Sequence, residues 1–208
     1  MVIAGRDTEY YTLGYDAGIL DDSFPYAFDA IGAWQFDSDG AADANGRLDI
    51  AIEEFEPEYV PSIHGNYVGD ALYASDGFVY AAYYYLARGS SPSGEVRMAV
   101  IGDGQVLRNE FLYEGGMGTA FYETREGALY LIRMRPEGGG TTKLLLGKFD
   151  DERKGFDDMG EWSLEGGSII YANQRVTCAR GGNDAADFVD VIYPVEGNRW
   201  MALRLRID

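Results

Sequence analysis

The sequence predicts an all-β fold built from β-propeller-like repeats of about 49 residues. The chain has 16 Tyr, 10 Phe and 28 Gly but only 6 Pro, a composition that favours strands and turns over helices. The related tetrads DALY, TAFY and SIIY begin at residues 70, 119 and 168, a spacing of 49 residues each time. A period near 50 residues with about four short strands per copy is typical of a propeller blade.

Alternating or short apolar runs between Gly, Asp and Asn mark the individual strands. The clearest predicted strands are 78–88, 95–102, 128–135, 141–149, 187–195 and 199–207. Within the last of these, apolar residues alternate with Arg199, Arg204 and Arg206. No segment keeps a 3.6-residue period over three turns, so 150–162 is the only place predicted for a short helix or an irregular loop.

The repeats divide one predicted all-β domain, 1–208, into units of about 20–60, 70–115, 119–165 and 168–208. The second and third units match best, whereas the first is degenerate and the fourth is stretched by the insertion NQRVTCARGGNDAA. Four copies predict a small or incomplete propeller, whose ring the strand EYYTLGY (9–15) could close by pairing with the last unit. A β-sandwich or jelly roll is the alternative, because turns every 8–12 residues also occur in those folds.

The net charge of −18 and the pI near 4.3 exclude several classes of partner. Such a chain repels a nucleic-acid backbone and an anionic membrane surface, so neither is expected as a partner. Only three of its 17 basic residues are Lys. This acidic, Lys-poor composition is typical of a high-salt organism, where the Debye length shrinks from roughly 8 Å to roughly 3 Å. A GC-rich genome is the alternative explanation of the Arg bias.

The N-terminal sequence, MVIAGRDTEYY, turns polar at once and lacks the pattern of a cleaved signal peptide. We therefore expect synthesis in a cytoplasm, with incorporation into a virion or surface assembly as the route to an outside role. The single cysteine, Cys178, rules out an internal disulfide framework and is expected to be a buried thiol.

Pieces of an Asp-box motif occur in ASDG (74–77) and FDSDG (36–40). With the repeats, they make 70–208, and more weakly 20–60, resemble the sialidase-like (BNR/Asp-box-like) propeller proteins. The intact Ser-x-Asp-x-Gly-x-x-Trp motif is not present. In the polysaccharide lyases of this fold, a His and a Tyr abstract a proton and return it. The resemblance thus implies His64 and Tyr67 as a catalytic pair, with Arg88 neutralising a substrate carboxylate. The alternative is that His64 is a hydrogen-bonded loop residue.

A second candidate is the acidic stretch DSDGAADANGRLD (37–49). Calcium takes six to eight oxygen ligands, commonly from Asp and Asn on a tight Gly-containing turn. The candidate ligands of a structural calcium ion are Asp37, Asp39, Asp43, Asn45 and Asp49. The alternative is a β-hairpin whose turns use the DG and NG dipeptides.

The function predicted from these features is non-enzymatic recognition or assembly. Aromatic side chains stack on sugars and anchor protein interfaces, and the candidate ligand-binding residues are Trp34, Tyr67, Tyr83, Tyr84 and Tyr85. The expected partner is a glycan or a protein surface, within a virion, a tail-type structure, another large assembly or a homo-oligomer. No cofactor is required. The alternative function is a polysaccharide-degrading enzyme, either a lyase or a glycoside hydrolase.

Overall fold

The structure is a computed structural model that describes residues 2–6, 9–18, 27–37, 42–52, 65–86, 94–115, 118–137, 141–164, 176–178, 188–195 and 199–207. Up to residue 68, side chains are described only at Ala33 and Ile50. The described residues form strands and turns without a helix. Within them, therefore, no helix is of a length and hydrophobicity that could span a membrane.

The strands of the described residues follow one another in chain order. They are β1 (Val2–Arg6), β2 (Glu9–Gly18), β3 (Ala27–Asp37), β4 (Ala42–Ile52), β5 (Gly65–Tyr73), β6 (Val79–Leu86), β7 (Glu95–Gly102), β8 (Gln105–Glu114), β9 (Thr119–Glu123), β10 (Leu129–Pro136), β11 (Thr142–Phe149), β12 (Phe156–Ser163), β13 (Thr177–Cys178), β14 (Phe188–Val195) and β15 (Arg199–Arg206).

In the first compact unit, Met1–Gly115, the described strands form one eight-stranded sheet. Strands β5 to β8 form an antiparallel meander in chain order. Strand β3 pairs with β4 along most of one edge and meets β5 in parallel only at Phe28 and Gly65. Strand β2 is paired on both edges, by β1 and β3. Residues 9–13 therefore have both edges paired within the first unit, which argues against the predicted ring closure through 9–15.

The core of the first unit lies where β3 and β4 pack against the β5–β8 meander. Ala33 and Ile50 contribute from β3 and β4, and they meet Ala71, Val79, Ala81, Tyr83, Ala99 and Ile101 from β5, β6 and β7. The odd-numbered residues of β6 and β7 face this layer because side chains alternate along a strand. Small alanines on both layers let the strands approach closely, and the larger Tyr83 and Ile101 fill the remaining space.

In the second compact unit, Gly116–Asp208, the described strands form two sheets. Strands β9 to β12 form a four-stranded antiparallel meander, and β13, β14 and β15 form a three-stranded sheet. Their facing sides make one apolar core. The meander contributes Ala120, Tyr122, Tyr130, Ile132, Met134, Leu144, Leu146 and Leu164, and the smaller sheet contributes Val176, Cys178, Val189, Val191, Tyr193, Val195, Leu205 and Ile207.

The predicted all-β, propeller-like repeat fold is confirmed. All six clearest predicted strands are present, and the two best-matched repeats are the β5–β8 and β9–β12 meanders. DALY ends β5 and TAFY starts β9, whereas SIIY lies outside the described residues. The boundary between the two units falls between the second and third predicted repeats. The organisation of 1–208 as one domain stays a prediction.

The segment 150–162, predicted as a short helix or an irregular loop, is a turn followed by strand β12. The carboxylate of Asp150 accepts hydrogen bonds from the amides of Lys154 and Gly155, at 3.0 Å each. An Asp side chain that bonds the following backbone closes a turn. The chain then reverses into β12 instead of continuing as a helix.

Candidate functional site

The outer face of the hairpin formed by β14 and β15 is the candidate site. Alternate residues of β14, from Val189 to Val195, are buried in the core of the second unit. The intervening residues therefore occupy the opposite face. Each has a cross-strand partner in β15, and the pairs are Phe188 with Arg206, Asp190 with Arg204, Ile192 with Ala202 and Pro194 with Trp200.

One half of this face is apolar and exposed. The side chain of Trp200 is 61% exposed and lies opposite Pro194, while Ile192 is 36% exposed and lies opposite Ala202. Isolated exposed apolar residues are ordinary on protein surfaces, but a group on one flat face indicates a contact surface. A tryptophan on a paired strand offers a large apolar ring and an indole N–H donor.

The other half of the face is an ion pair in fixed geometry. Arg204 donates from Nε to Oδ1 of Asp190 at 2.6 Å and from Nη2 to Oδ2 at 2.7 Å. The guanidinium carbon also lies 5.9 Å from the ring centroid of Phe188. Hydrogen bonding to Arg204 lowers the pKa of Asp190, and the same contact raises the pKa of Arg204. Both groups are therefore charged at neutral pH, and they supply hydrogen-bond donors and acceptors at defined positions.

Carboxylates pair with six of the described arginines. The pairs are Arg97 with Glu95, Arg108 with Glu110, Arg133 with Asp158, Arg135 with Glu137 and Glu161, Arg153 with Glu123, and Arg204 with Asp190. A glycosidase needs a carboxyl group whose raised pKa keeps it protonated as the general acid. Among the described carboxyl groups with a shifted pKa, namely Glu137, Asp150, Glu161 and Asp190, every shift is downward.

The predicted ligand-binding aromatics fall in different environments. Tyr83 is only 2% exposed and donates from its hydroxyl to Oδ1 of Asn109 at 2.7 Å. Burial raises its pKa, so Tyr83 stays protonated at neutral pH. This core position argues against a sugar-stacking role for Tyr83. Tyr84 is half-buried, and its ring lies against the backbone of Gly94, which has a φ of 54°.

For Trp34, Tyr67 and Tyr85, the structure describes the backbone but not the side chain. Tyr67 is the cross-strand partner of Tyr84, and Tyr85 is the partner of Asn66, so these tyrosines come together at one end of the β5–β6 pair. Trp34 lies in β3, between Thr12 of β2 and Arg47 of β4. Their part in binding stays a prediction.

Of the three predicted catalytic residues, only Tyr67 belongs to the described part of the chain. His64 and Arg88 lie outside the described residues, and Tyr67 lies within β5. The lyase-like pairing therefore stays a prediction. Cys178 is buried as predicted, and its thiol donates to the carbonyl of Phe121 at 3.0 Å.

The acidic stretch 37–49 joins the antiparallel strands β3 and β4, as the hairpin alternative predicts, but its Asn45–Gly46 dipeptide lies inside β4 and not at a turn. Asp37 ends β3, and Asp43, Asn45 and Asp49 lie in β4. Asp39 lies outside the described residues. No group of three or more His, Cys, Asp or Glu in the described part of the chain could hold a metal ion. The calcium site therefore stays a prediction.

The outer face of β14 and β15 was not among the sites predicted from the sequence. A signal for it exists, because the alternation in 199–207 places Trp200 on the face opposite Leu203 and Leu205. The aromatic composition indicated the tyrosine run of β6 instead. Composition alone does not distinguish a covered aromatic from an exposed one.

No protein-family model and no curated protein matches the chain. Among solved structures, it is similar to a GH43_12 glycoside hydrolase from a capybara gut metagenome, with a TM-score of 0.63 and 12% identity over 98% of this chain and 38% of that one. A xylan β-1,4-xylosidase from Bacillus halodurans gives a TM-score of 0.56 and 11% identity over 99% and 38%. A protein of unknown function from Dyadobacter fermentans gives 0.59 and 13% over 99% and 60%.

These similarities establish the fold. The two hydrolases are β-propeller proteins, which agrees with the all-β, propeller-like arrangement of this chain. The chain spans about two fifths of the length of either hydrolase and three fifths of the Dyadobacter protein. The sialidase-like type expected from the Asp-box fragments has no support from a sequence family.

Proposed function

We propose that this chain is a non-catalytic carbohydrate-recognition module that binds a glycan on the outer face of β14 and β15. The observation that carries the proposal is the 61% exposure of Trp200 on a paired strand, on the same face of β15 as the Asp190–Arg204 ion pair. The C–H groups of a sugar ring pack against an aromatic face, while its hydroxyls bond to charged donors and acceptors. This face offers both kinds of contact.

A glycan fits this face better than a protein surface does. The centre of a protein interface is usually depleted in charged residues, whereas half of this face is the Asp190–Arg204 ion pair. The shared fold with two glycoside hydrolases supports the same choice. Incorporation into a larger assembly, including a virion or tail-type structure, is compatible with this role.

The non-catalytic part of the proposal is supported by the sequence, which contains one His, one Cys and no intact catalytic motif. The buried Tyr83 keeps its proton, which makes it a hydrogen-bond donor rather than a base. The enzyme alternative rests on His64, Tyr67 and Arg88.

The test of binding compares Trp200→Ala with Met201→Ala on a panel of soluble polysaccharides, by affinity electrophoresis and calorimetry. Met201 is the matched control because it is also exposed, at 40%, but pairs with Tyr193 on the opposite face of the hairpin. We expect Trp200→Ala to weaken binding at least about tenfold, or roughly 1.4 kcal/mol, and Met201→Ala to leave it unchanged. Equal effects of the two substitutions would overturn the proposal.

The test of catalysis measures reducing sugars and unsaturated products on the same panel with the wild-type chain and His64→Ala. We expect binding without turnover in both proteins. Degradation by the wild type that is lost in His64→Ala would replace the binding-module proposal with the lyase alternative.

A further inference from the structure

The outer face of β14 and β15 has two contact groups, Trp200 at one end and the Asp190–Arg204 ion pair at the other. Trp200 and Arg204 lie on the same face of β15, four residues apart, so their Cα atoms are about 14 Å apart at ~3.4 Å per residue. Ala202, between them, contributes only a methyl group and lies opposite Ile192. A ligand that contacts both ends is longer than one sugar ring, so the face fits an oligosaccharide chain.

The ion pair leaves one edge of the guanidinium available. The carboxylate of Asp190 accepts hydrogen bonds from Nε and Nη2 of Arg204, whereas Nη1 makes no hydrogen bond to the described residues. The Arg204 side chain is 60% exposed. Arginine presents its donors in a planar fork, and the Asp190 contacts and the Phe188 ring hold that fork in place. The remaining donors therefore point away from Asp190 in a fixed orientation.

A neutral sugar interacts more favourably with the Asp190–Arg204 ion pair than an acidic sugar does. A sugar hydroxyl can accept a hydrogen bond from Arg204 and donate one to Asp190. The carboxylate of a uronic acid can only accept, and it would lie beside the negative charge of Asp190. The net charge of −18 adds long-range repulsion toward an acidic polysaccharide.

The other arginines of β15 do not reverse this preference within the span between Trp200 and Arg204. Arg199 pairs with Val195 and belongs to the opposite face. Arg206 pairs with Phe188, beyond the ion pair, and has an interaction of its own. Among the described residues, the Asp190–Arg204 pair is thus the charged group that a ligand bound along this span meets.

We infer that β15 binds a neutral oligosaccharide chain lengthwise, with one ring stacked on Trp200 and adjacent hydroxyls of another ring hydrogen-bonded to Arg204 and Asp190. This inference rests on the proposed function, because it names the ligand class of the same face. Trp200 supplies affinity for any sugar ring, and the ion pair selects uncharged sugars over uronic acids.

The experiment measures, by calorimetry, the binding of xylo-, cello-, manno- and galacto-oligosaccharides from one to six residues, with oligogalacturonates of the same lengths as the acidic probes. We expect at least one neutral series to bind, with affinity rising at least tenfold from the monosaccharide to the length that spans both ends. We expect the acidic series to bind at least tenfold more weakly. Tighter binding of the acidic series would overturn the inference.

Two substitutions test the ion pair itself. Arg204→Lys keeps the charge but loses the planar fork, so we expect a loss of about tenfold for the neutral ligand; Arg199→Lys, on the other face, is the control and should bind normally. Asp190→Asn removes the repelling carboxylate, so the acidic probe should gain at least tenfold relative to the neutral probe. An unchanged ratio in Asp190→Asn, with folding confirmed by melting temperature, would overturn the inference.

The recognition function and the choice of a neutral ligand are rejected by different results. If no probe of either series binds, or if Trp200→Ala binds as well as the wild type, the proposed function itself is wrong and the inference falls with it. If binding depends on Trp200 but favours the acidic series, the recognition function stands and the choice of a neutral ligand is wrong.

Discussion

At the residue scale, Asn109 links three strands of the first unit. Its carbonyl oxygen accepts from the Tyr83 hydroxyl at 2.7 Å, and its amide donates to the carbonyl of Ile50 at 2.8 Å. Tyr83 is in β6, Asn109 in β8 and Ile50 in β4. A phenol as buried as Tyr83 requires such a partner, since an unsatisfied hydroxyl costs about 1–3 kcal/mol. The bond explains why a polar ring is tolerated in this core.

This contact predicts coupling between the two side chains. Asn109→Ala should destabilise the chain by about 1–3 kcal/mol, because the buried Tyr83 hydroxyl loses its acceptor. Tyr83→Phe removes that hydroxyl. In the double variant, the loss of stability should be smaller than the sum of the two single losses by at least about 0.5 kcal/mol. Urea unfolding of the two single variants and the double variant gives the coupling energy.

Gln105→Ala, at the exposed start of β8, is the control and should change stability little. Strict additivity of Asn109→Ala and Tyr83→Phe would show that the Tyr83–Asn109 bond does not stabilise the core.

At the scale of elements, two turns of the β9–β12 meander are joined by one arginine. Arg153, in the turn between β11 and β12, donates to Glu123 at 2.8 Å and to the carbonyl of Gly127 at 2.8 Å. Glu123 ends β9, and Gly127 lies in the turn before β10. The Arg153 and Glu123 side chains are only 13% and 11% exposed. A pair this sheltered is screened less by salt than a surface ion pair.

Removing the carboxylate should therefore loosen this end of the meander. Glu123→Ala leaves Arg153 partly buried without that partner, and we expect a loss of about 2–3 kcal/mol. Glu152→Ala, which breaks the exposed contact with Lys154, should cost less than about 1 kcal/mol. Thermal unfolding of the two variants distinguishes the pairs; equal costs would contradict the structural role of Glu123.

The strands themselves were predictable because their signals are local. Alternating polarity and turn residues lie within each strand and its two neighbours in sequence. The pairing of β3 with β2, β4 and β5, and the Asn45–Gly46 dipeptide inside β4 instead of at a turn, were not predictable. Those features depend on which strands compete for one edge of β3, and that competition is decided by long-range packing.

At the scale of the whole molecule, the main feature is the net charge of −18. Thirty-five acidic side chains on a chain of 208 residues repel one another in the compact state. Several are compensated by arginine, as Asp190 and Glu123 are, but 17 basic residues leave more than half of the acids without a counter-charge. This excess is consistent with the proposed high-salt origin.

This charge predicts a strong dependence of stability on salt. Between about 0.1 M and 1 M KCl the Debye length falls from ~10 Å to ~3 Å, which weakens the self-repulsion of the folded chain. A gain of about 2 kcal/mol would raise the melting temperature by roughly 4–8 °C.

Differential scanning fluorimetry across the KCl series, with a chelator in every sample, measures this effect apart from any bound calcium. A flat or falling melting temperature would reject the high-salt origin.

By itself, the sequence determined the strands, the repeat of about 49 residues and the acidic surface, because alternation, turn chemistry and charge are properties of short segments or of composition. The tertiary structure decided which faces are covered. Tyr83 and Trp200 are both aromatic residues on predicted strands, yet one is 2% exposed and the other 61%. The difference arises because β3 and β4 pack against the face of β6 that carries Tyr83, while Trp200 lies on the face of its hairpin that points away from the core of the second unit.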